Sequence, residues 1–168
     1  DSLYINPYFA ITTDVGKKIY DIVCEWPGMT FDQEFFYRAR TASNADETYL
    51  EHDMLMPPQG IPSQGRYNDY GRSCFYFTDT FDGAINEVAG HQSKDDGYVY
   101  VVKIKPQKSA KLIDLSKMAS NSFITAIRKV VTDEKAKVKK EYLLPNYIAG
   151  CCRQAGWDGI KYRGSGYK

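Results

Sequence analysis

The order of helix and strand patterns constrains the fold of this chain more than any other feature. Apolar residues at helical spacing predict helices over 14–26, 79–90, 121–131 and 145–155. Short apolar or aromatic runs bounded by turn residues predict strands over 35–40, 73–78, 98–105, 110–115 and 157–162. These elements do not alternate strictly, as they would in a doubly wound parallel sheet. The pattern therefore predicts an α+β domain, with a twisted mixed sheet flanked by helices and a cleft.

Charge is distributed unevenly along the chain, although the net charge is only +1. Residues 1–100 hold 16 acidic and 7 basic side chains, whereas residues 101–140 hold 11 basic and 3 acidic ones. A solvated lysine-rich face accounts for this split, and so does a docking surface for a phosphorylated substrate or an acidic partner. Aromatic residues are scarce among these lysines, which argues against a nucleic-acid-binding platform.

Cysteine and histidine are too few, and unsuitably spaced, to supply a metal site. Cys24, Cys74, Cys151 and Cys152 form no C-x-x-C pair, and the chain has only 2 histidines. We expect the cysteines to be reduced and mostly buried, and the protein to be cytoplasmic. The sequence has no apolar run long enough to span a membrane and no signal peptide at its start. Because it begins with Asp rather than Met, we expect it either to be trimmed for expression or to be a piece of a longer protein.

Three residues between positions 65 and 87 offer complementary chemistry. Arg66, in a Gly-Arg-Tyr-Asn turn, carries a fixed positive fork that suits phosphate oxygens. Tyr76, in the predicted aromatic strand, offers a flat face and a polar tip to a planar ring. Glu87, on the helix that follows, can stabilise positive charge on a sugar carbon or accept a proton. These residues predict a site that cleaves a dinucleotide.

Each of these three residues also has an ordinary structural interpretation, which the sequence leaves open. Arg66 can pair with a carboxylate elsewhere in the domain, Tyr76 can pack across strands, and Glu87 can lie exposed on a helix. The chain contains neither a G-x-G-x-x-G after a strand nor a G-x-x-x-x-G-K-[ST]. Any nucleotide site is therefore of another kind.

Three further residues carry candidate anion-binding groups. Arg38 and Arg40 share strand parity, so one or both can hold a pyrophosphate or simply line a polar face. Ser165 lies in a Gly-Ser-Gly turn, where its hydroxyl can bind phosphate or ribose or can belong to a flexible turn.

The order of these motifs resembles the RES domain, a family named for an Arg, a Glu and a Ser. The resemblance extends over roughly residues 35–165. The motifs that carry it are Tyr37-Arg38, the Gly-Arg-Tyr-Asn-x-x-Gly turn at 65–71, Tyr76, Ala84-x-x-Glu87 and the late stretch from Asp158 to Ser165. It implies a fold similar to that of ADP-ribosyltransferases, with an NAD-binding cleft.

The resemblance also implies roles for individual residues and a division of the chain. The catalytic residues would be Glu87, Arg66 and Tyr76, and the substrate-binding residues Tyr37, Arg38, Asn68 and Ser165. NAD⁺ would be the substrate, and we expect neither a metal nor a cofactor. Residues 35–168 would form the catalytic domain, on which residues 1–34 pack as a helical extension.

Members of this family act as bacterial toxins that degrade NAD⁺, commonly with an antitoxin that covers the cleft. We therefore expect cleavage of the nicotinamide–ribose bond by a glycohydrolase or a phosphorylase. One alternative is an ADP-ribosyltransferase that modifies a protein docked by the basic segment. Another is a nucleotide- or partner-binding module without catalysis. A homo-oligomer is compatible with each of these, and the sequence indicates no membrane partner.

Overall fold

The structure, a computed structural model, describes residue 3 and residues 6–43, 48–89, 97–119, 121–133 and 135–164. Its helices are α1 (Asp14–Glu25), α2 (Phe81–Ala89), α3 (Ser122–Ile127) and α4 (Leu143–Gln154). Its strands are β1 (Gly28–Phe31), β2 (Phe36–Ala42), β3 (Tyr98–Ile104), β4 (Ala110–Asp114) and β5 (Gly159–Lys161). Short 3-10 helices occupy Pro7–Thr12, Glu51–Met54 and Lys140–Tyr142. Within the described ranges, each helix is too short or too polar to cross a lipid bilayer.

The first of two compact units combines the described parts of Asp1–Phe31, Gln59–Arg72 and Ala110–Tyr162. Its sheet has the order β1-β4-β5, with β1 antiparallel and β5 parallel to the central strand. α1 packs on α4, and the side chains of Val23 and Ile148 are fully buried. Burial of these apolar faces supplies the main stabilisation of the unit.

Thr13 caps the N-terminus of α1. The Thr13 hydroxyl oxygen accepts the backbone N–H of Gly16 at 3.0 Å. Asp14 becomes the first helical residue, where a negative charge interacts favourably with the helix dipole. The helix ends before Pro27, as predicted, because proline cannot continue a helix.

The second unit combines the described parts of Asp32–Pro58, Ser73–Ser109 and Arg163–Lys168. β2 and β3 form an antiparallel two-stranded sheet in which Arg38 lies opposite Val102. α2 packs on both strands, with small buried residues, Gly83 and Ala84, on its inner side. Small side chains allow the helix to approach the sheet closely.

The predicted aromatic strand does not form a regular ladder. Among the described residues it pairs with β2 at a single bridge, where Thr78 and Tyr37 exchange two backbone hydrogen bonds of 2.8 Å. The rings of Phe75 and Phe77 pack on Phe36, with centroid distances of 5.7 and 4.4 Å. Ring packing therefore holds this segment where a hydrogen-bonded ladder was expected.

α3 is shorter than the predicted helix, because it ends at Ile127. The next residue, Arg128, donates from its guanidinium to the backbone oxygen of Leu115 at 2.8 Å. β-Branched Val130 and Val131 follow, and such residues favour helices only weakly. The described residues of the lysine-rich segment after α3, 128–133 and 135–139, do not continue the α-helix.

The last predicted helix and strand are confirmed with small changes in their bounds. α4 begins two residues before Pro145, which lies in the first turn, where helical N–H groups have no intrahelical partner. Gly156 follows the helix with a φ of +83°, a left-handed conformation that glycine adopts without strain. The α+β class is thus confirmed. The likeness to ADP-ribosyltransferases, the cleft and the division into residues 1–34 and 35–168 stay predictions.

The four cysteines are free thiols that differ in burial. Cys151 and Cys152 are buried, as expected, whereas Cys24 is exposed and Cys74 half-buried. Burial raises the pKa of the Cys152 thiol to about 12. This thiol therefore stays protonated and unreactive near neutral pH.

We expect the free energy of unfolding to fall as the pH rises from about 9 towards 12. The Cys152 thiol keeps its proton in the folded chain up to a pH of about 12, whereas without burial it ionises near 9.0. Its contribution to the free energy of unfolding is therefore fully present below pH 9 and is lost as the pH rises towards the folded pKa. Urea unfolding at about pH 8 and about pH 10.5 measures the change. Cys152→Ala should show a smaller difference between the two pH values than the wild type. An equal difference in the variant and the wild type would show that Cys152 does not cause the loss of stability.

Candidate functional site

The predicted site residues divide between the two units. The first unit contains Arg66 and Asn68, and the second contains Tyr37, Arg38, Tyr76 and Glu87. Ser165 lies outside the described residues, so its proposed role stays a prediction.

The Gly-Arg-Tyr-Asn turn is built into the core of the first unit. The backbone N–H of Gly65 donates to the backbone oxygen of Asn68 at 2.9 Å and closes the turn. Asn68 is only 3% exposed, and its side-chain nitrogen donates to the Ser63 backbone oxygen at 2.8 Å. The Tyr67 ring lies 4.8 Å from that of Tyr162, and burial raises the pKa of Tyr67 to about 12. These contacts give Asn68 a structural role beside its predicted one.

Arg66 is held by backbone carbonyls at the end of α3. Its Nη1 donates to the oxygens of Ile127 and Lys129 at 3.0 and 2.9 Å. Its guanidinium carbon lies 5.1 Å from the centroid of the Tyr142 ring, within the range of a cation–π contact. A positive charge at a helix C-terminus also interacts favourably with the helix dipole. Arg66 therefore stabilises the first unit, while its predicted anion-binding role stays a prediction.

We expect Arg66→Ala to reduce the stability of the chain by about 2 kcal/mol, because two carbonyls lose a charged donor. Thermal unfolding of wild type and variant measures the loss. Arg72→Ala is the matched control, since Arg72 is exposed. An unchanged melting temperature for Arg66→Ala would show that these hydrogen bonds contribute nothing.

Glu87 lies on α2, whose start is fixed by two threonines. The Thr80 hydroxyl oxygen accepts the backbone N–H of Gly83 at 3.1 Å. The Thr78 hydroxyl donates to the Thr80 backbone oxygen at 2.7 Å. Because Thr78 also pairs with Tyr37, the start of α2 is tied to β2. Glu87 itself is half-buried.

The carboxylate of Glu87 lies against the backbone of Gly164. A methyl group added at Gly164 would be 2.8 Å from Glu87 Oε2 and 3.9 Å from its Cδ. Both residues belong to the second unit. The chain just before Ser165 therefore reaches the predicted catalytic carboxylate.

Arg38 is half-buried on β2, with an aromatic ring beside its guanidinium. Its Nη1 donates to the Leu55 backbone oxygen at 2.9 Å, and its guanidinium carbon is 5.0 Å from the Phe75 ring centroid. Burial lowers the pKa of Arg38, and the charge of Arg40 lowers it further. Among the described residues, no carboxylate lies within ion-pair distance of Arg38. A partly desolvated cation in this setting favours an anionic ligand.

Tyr37 and Tyr76 lie in neighbouring stretches of the second unit. The Tyr37 ring meets Phe81 edge-on, with centroids 6.1 Å apart. Tyr76 is half-buried and lies in sequence between Phe75 and Phe77, whose rings are 5.7 Å apart. Because alternate residues of an extended segment point to opposite sides, we expect Tyr76 on the side away from these rings. The second unit thus contains four of the predicted residues.

Two residues that shape the second unit carry no clear functional signal in the sequence. Gly164 adjoins the Glu87 carboxylate, and Phe75 lies beside Arg38. The sequence marks Gly164 only as part of a turn, and Phe75 only as a core residue. Periodicity within one element cannot identify contacts between residues so far apart along the chain.

A comparison with protein families bears on the identity of the chain. A model of the RES domain matches residues 35–165, a stretch that includes all of the predicted site residues. No curated protein and no solved structure gives a significant match. The described residues contain no cluster of three or more His, Cys, Asp and Glu side chains that could hold a metal ion. The motif resemblance is confirmed, and the chain belongs to the RES domain family.

Proposed function

We propose that this chain cleaves the nicotinamide–ribose bond of NAD⁺ and acts as a toxin or effector that depletes NAD. The observation that carries the proposal is the half-buried Glu87 carboxylate against Gly164, in the same unit as the Arg38 cation. The association of the RES domain family with NAD-related toxins supports NAD⁺ as the substrate.

The chemistry of NAD⁺ explains why a carboxylate is the central group. Nicotinamide is neutral once it has left, so the C–N bond can break without an acid, and the electron pair of the bond departs with the nicotinamide. The positive charge then develops on the ribose carbon, as in glycoside hydrolysis. A carboxylate placed beside this carbon stabilises that charge. We assign this role to Glu87, which would also hold the ribose 2′-hydroxyl.

Binding of the dinucleotide needs an anion-binding group and a platform for the ring. Arg38 would bind the pyrophosphate, since its guanidinium is charged at any physiological pH. Tyr76, with Tyr37 on the neighbouring strand, would position the nicotinamide end. The binding roles of Arg66, Asn68 and Ser165 rest on the family motifs alone.

The acceptor determines the product of the reaction. Water would form a C–O bond with the ribose carbon, lose a proton and give ADP-ribose. Phosphate would give ADP-ribose 1″-phosphate, and a protein side chain would give an ADP-ribosylated protein. We propose water or phosphate, with NAD⁺ as substrate and no further cofactor.

A product analysis tests this proposal. Purified protein is incubated with NAD⁺ in phosphate-free buffer and again with added phosphate, and the products are separated by chromatography. A glycohydrolase should release nicotinamide and ADP-ribose in both reactions. A phosphorylase should release nicotinamide and ADP-ribose 1″-phosphate only in the reaction with added phosphate. Nicotinamide release only on addition of a protein acceptor would instead favour the transferase. Binding of NAD⁺ without any cleavage would leave a binding module and contradict the proposal.

We further propose that a regulatory protein or domain covers the site. A chain that depletes NAD would harm the cell that makes it, so we expect its activity to be restrained in that cell. Co-expression with such a partner should restore the growth of cells that produce the active chain.

A further inference from the structure

The Glu87 carboxylate, and not the backbone conformation, requires a glycine at position 164. Its φ lies outside the left-handed region, so its backbone is open to residues other than glycine. Apart from the chain neighbours of Gly164, the described atoms within 4 Å of an added methyl group are Oε2 and Cδ of Glu87. The steric demand for glycine at this position therefore comes from Glu87.

The contact is too close for a larger residue at position 164 to leave Glu87 where it is. A Cβ atom 2.8 Å from Oε2 is nearer than real Cβ contacts allow, so one group must move. The carboxylate is the far end of a flexible side chain, and it moves more easily than backbone does. A substitution at Gly164 should therefore displace the carboxylate with little loss of stability.

We infer that Gly164 is a positioning residue, whose missing side chain leaves the Glu87 carboxylate room to occupy its position for reaction with NAD⁺. This inference rests on the proposed function, because it assigns a catalytic consequence to the position of that carboxylate. Misplacement of a reacting group by about 1 Å can reduce a rate by up to about 100-fold. The missing side chain of Gly164 thus contributes to the geometry of the site.

Gly164→Ala tests the inference when it is combined with a shorter carboxylate. In the wild-type background we expect kcat to fall about 10-fold, with a nearly unchanged melting temperature. In the Glu87→Asp background, the side chain is one methylene shorter and leaves room for the methyl group. There, Gly164→Ala should change kcat less than about twofold. A purely structural role would produce the same loss in both backgrounds.

Gly97→Ala is the matched control in the same unit. A methyl group there meets the nearest described atom, the Ser43 backbone oxygen, at 3.9 Å, an ordinary contact. We expect this variant to keep the wild-type kcat. Wild-type kcat in Gly164→Ala, or equal losses in the two Glu87 backgrounds, would overturn the inference.

A second readout does not depend on enzymatic activity. The ¹³C signal of the Glu87 carboxyl carbon, assigned by its loss in Glu87→Gln, should shift in Gly164→Ala and stay unchanged in Gly97→Ala. If the wild type cleaves no NAD⁺, the proposed function fails, but this shift still reports whether Gly164 positions the carboxylate. An unchanged signal in Gly164→Ala would overturn the positioning role itself.

Discussion

Glu87→Gln is expected to reduce the turnover of NAD⁺ by at least ~10² while the fold stays intact. Glutamine has almost the same shape as glutamate, so the contact with Gly164 and the packing of α2 are kept. The amide carries no negative charge, and it cannot stabilise the positive ribose carbon of the transition state. Affinity for NAD⁺ should change little, because the lost interaction forms mainly as the bond breaks.

The control for this variant is Glu34→Gln, since Glu34 is an exposed residue of the same unit. Kinetics at saturating NAD⁺ and thermal unfolding are measured for both variants. We expect only Glu87→Gln to lose turnover, and neither to lose stability. Near-normal turnover in a folded Glu87→Gln variant would remove Glu87 from the mechanism.

Gly16→Ala is expected to reduce stability by about 3 kcal/mol, or about 10 °C in melting temperature. A methyl group at Gly16 would lie 1.8 Å from the backbone oxygen of Ala10 and 3.0 Å from the Tyr147 hydroxyl oxygen. The Ala10 oxygen also accepts hydrogen bonds from the Thr13 hydroxyl and backbone N–H. Because the nearest atom is backbone, the 3-10 helix before α1 must shift and these bonds must distort. Thermal or urea unfolding measures the effect.

Gly150→Ala is the matched control for this prediction. Gly150 lies in α4, in the same unit. Apart from its chain neighbours and the adjacent helix backbone, no described atom lies within 4 Å of a methyl group added there. Alanine is favoured over glycine inside a helix by about 0.5–1 kcal/mol, so this variant should be slightly more stable than the wild type. Equal effects of the two substitutions would show that the close approach at Gly16 does not limit stability.

Patterns within single elements predicted most of the fold correctly. The helices at α1, α2 and α4 follow from apolar spacing and from stop signals such as Pro27 and Gly156. Predictions failed where a contact between distant segments decides the outcome. The rings of Phe75 and Phe77 pack on Phe36 in place of a ladder, and the Arg128 guanidinium donates to the Leu115 backbone oxygen just beyond the end of α3. Local propensity contains no information on such partners.

From the sequence, the candidate site could be predicted only as residue types that follow one another along the chain, without their contacts. The motifs indicated Glu87 and Arg38 as candidates, and the family match over residues 35–165 confirms the membership that the motifs implied. The acceptors of Arg66, two carbonyls at and beyond the end of α3, lie more than 60 residues away in sequence. The closeness of Gly164 to Glu87 is likewise a property of the folded chain alone.

The most direct test of the account is a single-turnover measurement of nicotinamide release, with the protein in excess over NAD⁺. Excess protein removes product release from the observed rate, so the rate reports bond cleavage. The account predicts one nicotinamide for each NAD⁺ consumed by the wild type, and release at least ~10² slower in Glu87→Gln. Intact NAD⁺ in the wild-type reaction, or equal rates in the two proteins, would contradict it.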